Sequence, residues 1–178
     1  MDKKQGLIKY IWQITYAHTI AYFIAGIFAV SVMNYKDLYA TEIISSFMHQ
    51  VDAPIVTLGP VLQIFRGILI SLILLPLRNV FLDEKFGLWK LGLIVFGFSY
   101  LSTIGPGIGS FEGYIYTKIP FLYQLAGLPE TILYVALFIG ILFLSKKYAD
   151  KKIMAVLPIV FTALIVLMGI MGYISAGI

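Results

Sequence analysis

The sequence predicts an all-α, polytopic membrane bundle of about five transmembrane helices with a re-entrant or interfacial loop on its outer side. Three observations predict it. The chain has 178 residues, of which 60% are hydrophobic and 12% charged, with a mean hydropathy of +0.93; a soluble domain carries roughly 25% charged residues and is less than half apolar. Apolar runs recur at the length that a hydrocarbon core of about 30 Å requires, about 20 residues at a rise of about 1.5 Å each. Lysine and arginine cluster in alternate connections. The whole chain reads as one integral membrane domain, because no segment is polar enough to fold apart in water.

The five apolar runs are 7–33, 54–77, 86–104, 129–145 and 153–178. The first lacks a compact apolar core followed by a small-residue cleavage site, and Gln13, Tyr16 and His18 interrupt it, so it reads as a span rather than a signal peptide. Orientation follows from counting cations. Lys3, Lys4, Lys9, Arg78, Lys85, Lys90, Lys146, Lys147, Lys151 and Lys152 fall on one side, ten against Lys36 and Lys118 on the other. The positive-inside bias therefore puts the N-terminus in the cytoplasm and the C-terminal Ile178 outside. The net charge of +4 thus belongs to connections lying against anionic lipid, and nucleic acid is not an expected partner.

Two outer connections are longer than linkage demands. In 34–51, Ile44, Phe47, Met48 and Val51 recur at helical spacing opposite Glu42, Ser45, Ser46 and His49, which predicts a short helix in the interface. The stretch 105–128 is too polar and glycine-rich to span and too aromatic to float free, so it is expected to cap the bundle.

Arg66 is the foremost candidate site residue. It falls about 18 Å along its helix from Pro54, near mid-membrane, where an arginine is costly unless it faces the protein interior. Asp52, Gly59, Gln63 and Arg66 share its face, and Gly59-Pro60 is expected to kink the helix. His18, about 16 Å into the first helix from its inner start, lies at a similar depth. Thr15, Thr19 and Tyr22 continue its face. Haem binding is not expected, since the other histidine, His49, sits near the outer surface. Glu112 and Ser110 lie in the run Gly105-Pro106-Gly107-Ile108-Gly109-Ser110-Phe111-Glu112-Gly113, whose glycines suit either an anion held by backbone N–H groups or close packing. Ser110 is not in a nucleophile elbow, because Ile108 and Glu112 stand where glycines are required. Glu112 is the candidate acid or base, and it is expected to approach Arg66 from above. Glu130, just after Pro129, reads first as a helix-start acid. Arg78, beside Pro76 and Asn79, reads as a headgroup anchor.

Ala17, Ala21, Ala25 and Ala29 form a ridge of small residues that permits close helix approach, within the bundle or by a partner helix. In that ridge, in size and in hydrophobicity, the chain resembles the substrate-binding subunits of energy-coupling-factor vitamin transporters, though those have six spans. Arg66, Pro76-Leu77-Arg78, Gly105-Pro106, Gly109-Ser110-Phe111-Glu112-Gly113, Tyr116-Thr117 and Pro129-Glu130 also resemble a small family of uncharacterised bacterial multi-span proteins. That resemblance covers the central third, implies a bacterial inner membrane and carries no activity.

Absences narrow the chemistry. With zero cysteines there is no thiolate site, and no metal or cofactor is expected. No H-E-x-x-H, no G-x-G-D of intramembrane aspartyl proteases and no aspartate-rich prenyl-diphosphate motif occurs. The leading expectation is a binding or transport protein that holds a small polar or amphipathic ligand, an anion or lipid headgroup, in an outward-facing cavity lined by Arg66, Gln63, His18 and Glu112, with Ser110 beside them. The alternatives are a membrane enzyme acting on lipid, with Glu112 as acid/base, and a non-catalytic subunit docking through the alanine ridge.

Overall fold

A computed structural model describes residues 3–103 and 105–177. Ile104 and Ile178, where two of the predicted spans close, lie outside the described residues. The described chain is helical, with no strand among the described residues. Four helical stretches are long and apolar enough to cross a membrane: Gly6–Ser31, Gly59–Leu82, Phe121–Lys147 and Lys152–Ala176. A fifth, Gly87–Leu101, is apolar but shorter.

The first long helix, α1 (Lys3–Ser31), is the axis of the bundle and packs against three others. Ala17, Ala21, Ala25 and Ala29 are all at most 1% exposed. The ridge is thus consumed inside the chain. Of the two uses expected of it, packing within the bundle is the one it serves here.

The chain leaves α1 through Asn34, whose backbone is left-handed, into two short helices, α2 (Tyr35–Ala40) and α3 (Glu42–Ser45). The single interface helix expected over 34–51 is thus split, with Thr41 extended between the two pieces. Next come α4 (Pro54–Thr57) and α5 (Gly59–Leu74). The break at Leu58, just before Gly59-Pro60, is where the proline ring was expected to disturb the helix. At the other end Pro76 does not terminate the helix. It tightens one turn (Leu75–Leu77, 3₁₀) and the chain continues as α6 (Arg78–Leu82), five residues beyond the predicted span. The Arg78 guanidinium lies over the Tyr10 ring, 5.8 Å from its centroid, so part of its charge is spent on an aromatic face of α1.

The third apolar run forms α7 (Gly87–Phe96) and a π-helical turn over Gly97–Leu101. Gly87 lies so close to the Val80 and Phe81 carbonyls that a Cβ there would collide with them, and at the far end Tyr100 donates to the Gln124 carbonyl at 2.7 Å. The short helix therefore joins the same two ends of the bundle as its longer neighbours. After α8 (Phe111–Tyr116) and α9 (Phe121–Leu125), α10 (Leu128–Lys147) returns to the lysine-rich end, where Lys146 Nζ donates to the Leu82 carbonyl. Finally α11 (Lys152–Ala176) runs back along α4 and α5.

Glycines set the closest approaches. A Cβ on Gly67 of α5 would stand 2.9 Å from the Thr15 Cα of α1, and one on Gly169 of α11 would stand 2.6 Å from a Val61 methyl. The outer surface is apolar: Phe65 is 66% exposed, Ile73 74% and Met171 67%. Water would not tolerate so continuous a patch, whereas lipid would.

Candidate functional site

α1 carries His18 and Tyr22 one turn apart, and α10 carries Glu130 and Tyr134 with the same spacing on a helix running the opposite way. The two pairs meet rung to rung. His18, 1% exposed, accepts or donates on both ring nitrogens: Nδ1 lies 2.6 Å from the Tyr134 hydroxyl and Nε2 3.0 Å from Gln63 Oε1. An amide oxygen only accepts, so Nε2 carries the proton and Nδ1 accepts from Tyr134, which satisfies the neutral ring completely. The structure thus brings together two of the five predicted residues, His18 and Gln63, and adds Tyr134. The only signal for Tyr134 was its position one turn inside Glu130 on the same helical face.

Arg66 lies one turn further along α5 from Gln63. Arg66 is exposed, which corrects the expectation that it faces the protein interior. Its guanidinium lies within coulombic reach of His18, Tyr22 and Tyr134. No carboxylate pairs with it among the described residues, where the one ion pair is Lys90 with Glu84. Glu112 does not meet Arg66. It sits half-buried in the first turn of α8.

The glycine-rich loop folds on itself. Ser110 Oγ donates to the Gly107 carbonyl at 2.6 Å and accepts from Gly113 N–H at 3.0 Å, so the hydroxyl caps the start of α8. Gln124, 3% exposed, organises the remainder. Its Oε1 accepts from Gly109 N–H at 2.7 Å, and its Nε2 donates to Thr117 Oγ1 at 3.0 Å and to the Gly113 carbonyl at 3.2 Å. Gly109 needs its hydrogen side chain twice over: its φ is +86°, and a Cβ would meet the Tyr100 ring at 2.5 Å. Of the two uses open to these glycines, close packing is the one realised by Gly109 and Gly113.

No family model, curated protein or solved structure matches this chain.

Two chambers open at the end of the bundle that bears this loop. The first, about 320 Å³, is walled by Tyr22, Phe23, Tyr35, Tyr39 and Pro60, with Glu130 inside. The second, about 430 Å³, lies under α2 and α3 and is walled by Tyr35, Tyr39, Tyr100 and Tyr123, again with Glu130. Glu130, Tyr35 and Tyr39 line both, and among the described residues Glu130 is the one charged residue lining either chamber. Burial and then the Glu130 carboxylate push the Tyr39 hydroxyl up to about 12 and raise that of Tyr35 as well, so both remain neutral donors at any ordinary pH. None of Arg66, Gln63, His18, Glu112 and Ser110 lines either chamber. Tyr22, in the wall of the first chamber, lies one turn from His18 on α1.

Proposed function

We propose that this protein binds a small amphipathic ligand entering from the loop-bearing end, as a binding or transport protein with its polar chamber inside the membrane. The observation that carries the reading is the lone carboxylate of Glu130 set among tyrosines at two adjoining chambers. A carboxylate and aromatic faces complement a cation, and quaternary or primary ammonium groups are held this way. The ligand class is therefore an amphipath bearing an ammonium group, such as a lipid headgroup, rather than a simple anion.

Phosphocholine and tetramethylammonium are expected to raise the unfolding temperature of the purified protein, with inorganic phosphate having less effect. Glu130→Gln should weaken binding of both ammonium probes at least about tenfold, the loss of one charged hydrogen-bonding partner. Equal responses of wild type and Glu130→Gln to all three probes would sink the reading. The enzyme alternative has less support, because Glu112 lines neither chamber.

The membrane reading is proposed in full: five crossings, including the short Gly87–Leu101, in a bacterial inner membrane with the N-terminus inside. Ten cations at one end and two at the other support that direction. Single cysteines replacing Lys36 or Lys118 should react with an impermeant thiol reagent on intact cells, and one replacing Lys147 should not. Labelling at Lys147 in sealed cells would reverse the orientation.

A further inference from the structure

A groove runs between α7 and α10. At its lysine-rich mouth a cavity of about 420 Å³ is lined by Lys85, Lys146 and Lys147 with Glu84, Phe86 and Trp89. Glu84 is already paired with Lys90, so the mouth is strongly cationic. Lys146 is fixed by its bond to the Leu82 carbonyl. Leu88 and Trp89 then belong also to a second cavity, about 340 Å³, that continues up the groove past Gly92, Phe96, Ala136 and Ile139 to Ile132. Every side chain lining that second cavity is apolar.

The small residues make the trough. A Cβ on Gly92 would touch the Ile139 side chain at 3.3 Å, so α7 and α10 are in contact beneath it and the glycine and Ala136 keep its floor low. The distance along α10 from Lys147 to Ile132 is about 22 Å at the helical rise. Half of a hydrocarbon core is about 15 Å, so the trough accepts one leaflet's acyl chain with several ångströms left for the headgroup.

We propose that this groove binds one anionic phospholipid, with the phosphate between Lys85, Lys146 and Lys147 and an acyl chain lying past Trp89 over Gly92 and Ala136. Basic pockets between transmembrane helices recognise anionic headgroups in this manner. Charge complementarity favours lipid over a second copy of the chain, since a two-fold dimer through this face would bring the same lysines together in a self-matched interface.

The chain has two tryptophans, Trp12 and Trp89, and Trp89 is 68% exposed in the groove, so Trp12→Phe leaves a reporter at the site. That variant is placed in phosphatidylcholine vesicles containing a small fraction of either phosphatidylglycerol or phosphatidylcholine with brominated acyl chains. Brominated phosphatidylglycerol should quench Trp89 several-fold more than brominated phosphatidylcholine at equal fraction, and unlabelled phosphatidylglycerol should reverse it. Replacing Lys85, Lys146 and Lys147 together by glutamine should abolish the preference while leaving quenching by phosphatidylcholine, which also shows that the variant is folded and inserted. Ala136→Leu should reduce quenching by both lipids. Equal quenching by the two lipids in the Trp12→Phe protein overturns the proposal. So does negligible quenching together with a dimer cross-linked across α7, which would mean that protein covers the groove.

Discussion

Gln124→Leu is expected to lower stability by about 1–3 kcal/mol, because the part-buried Gly109 N–H loses its partner, while the Gly113 carbonyl keeps the Thr117 N–H and hydroxyl. The loss should appear as a lower unfolding temperature in lipid nanodiscs and as faster proteolysis between Gly105 and Leu125. Gly113→Ala should act on the same loop by a different route. Its Cβ would run into the Gly107 carbonyl and approach Gln124 Oε1 to 3.2 Å. Glu112→Gln, one residue away but without a partner, should stay within about 0.5 kcal/mol of wild type. A Gln124→Leu protein as stable as wild type would show that the loop is not held from its centre.

This loop shows where sequence reading stops. Four glycines near a serine and a glutamate carry a strong local signal that the backbone is unusual. They do not say what the backbone turns toward. Here Gln124, fifteen residues downstream of Gly109, takes the N–H that an anion would otherwise be offered. A glutamine in an apolar helical turn looks like any other surface residue until the chain closes around it.

The long helices were legible because lipid imposes length, composition and charge bias on a local stretch, and those quantities are sums over neighbours in sequence. Even there, the apolar run closes at Leu77, whereas the helix continues through a tight turn at Pro76 as far as Leu82. The alanine ridge was legible as a close-packing face, but which helix covers it depends on the whole bundle. Depth was partly legible too. Counting rises puts His18 and Arg66 at similar levels, and His18 bonds Gln63, one turn from Arg66 on α5. The choice between Glu112 and Glu130 was not legible, because it turns on where α10 begins relative to α1. Tyr134 bonds to His18, so Glu130, one turn before it, stands level with Tyr22, well below the outer end of α1 at Ser31. A glutamate that reads as a helix-start acid is thereby carried down into the chamber.

Two double-mutant cycles separate these alternatives energetically. In the first, His18→Leu alone should cost about 2–3 kcal/mol, since it removes two hydrogen bonds and strands the Tyr134 hydroxyl, while Tyr134→Phe alone should cost about 1 kcal/mol. The double variant strands nothing at that contact. It should recover about 1 kcal/mol relative to the sum, which is the size of coupling measured for hydrogen bonds between membrane helices. In the second cycle, Arg66→Gln and Glu112→Gln should add to within about 0.5 kcal/mol, because the two side chains do not pair. A charge pair in low dielectric would instead cost about 3–5 kcal/mol when either partner is removed alone and much less when both are. Recovery of that size between Arg66 and Glu112, with none between His18 and Tyr134, would mean that in the membrane the loop folds inward over the arginine and the rungs of α1 and α10 are out of register with those described.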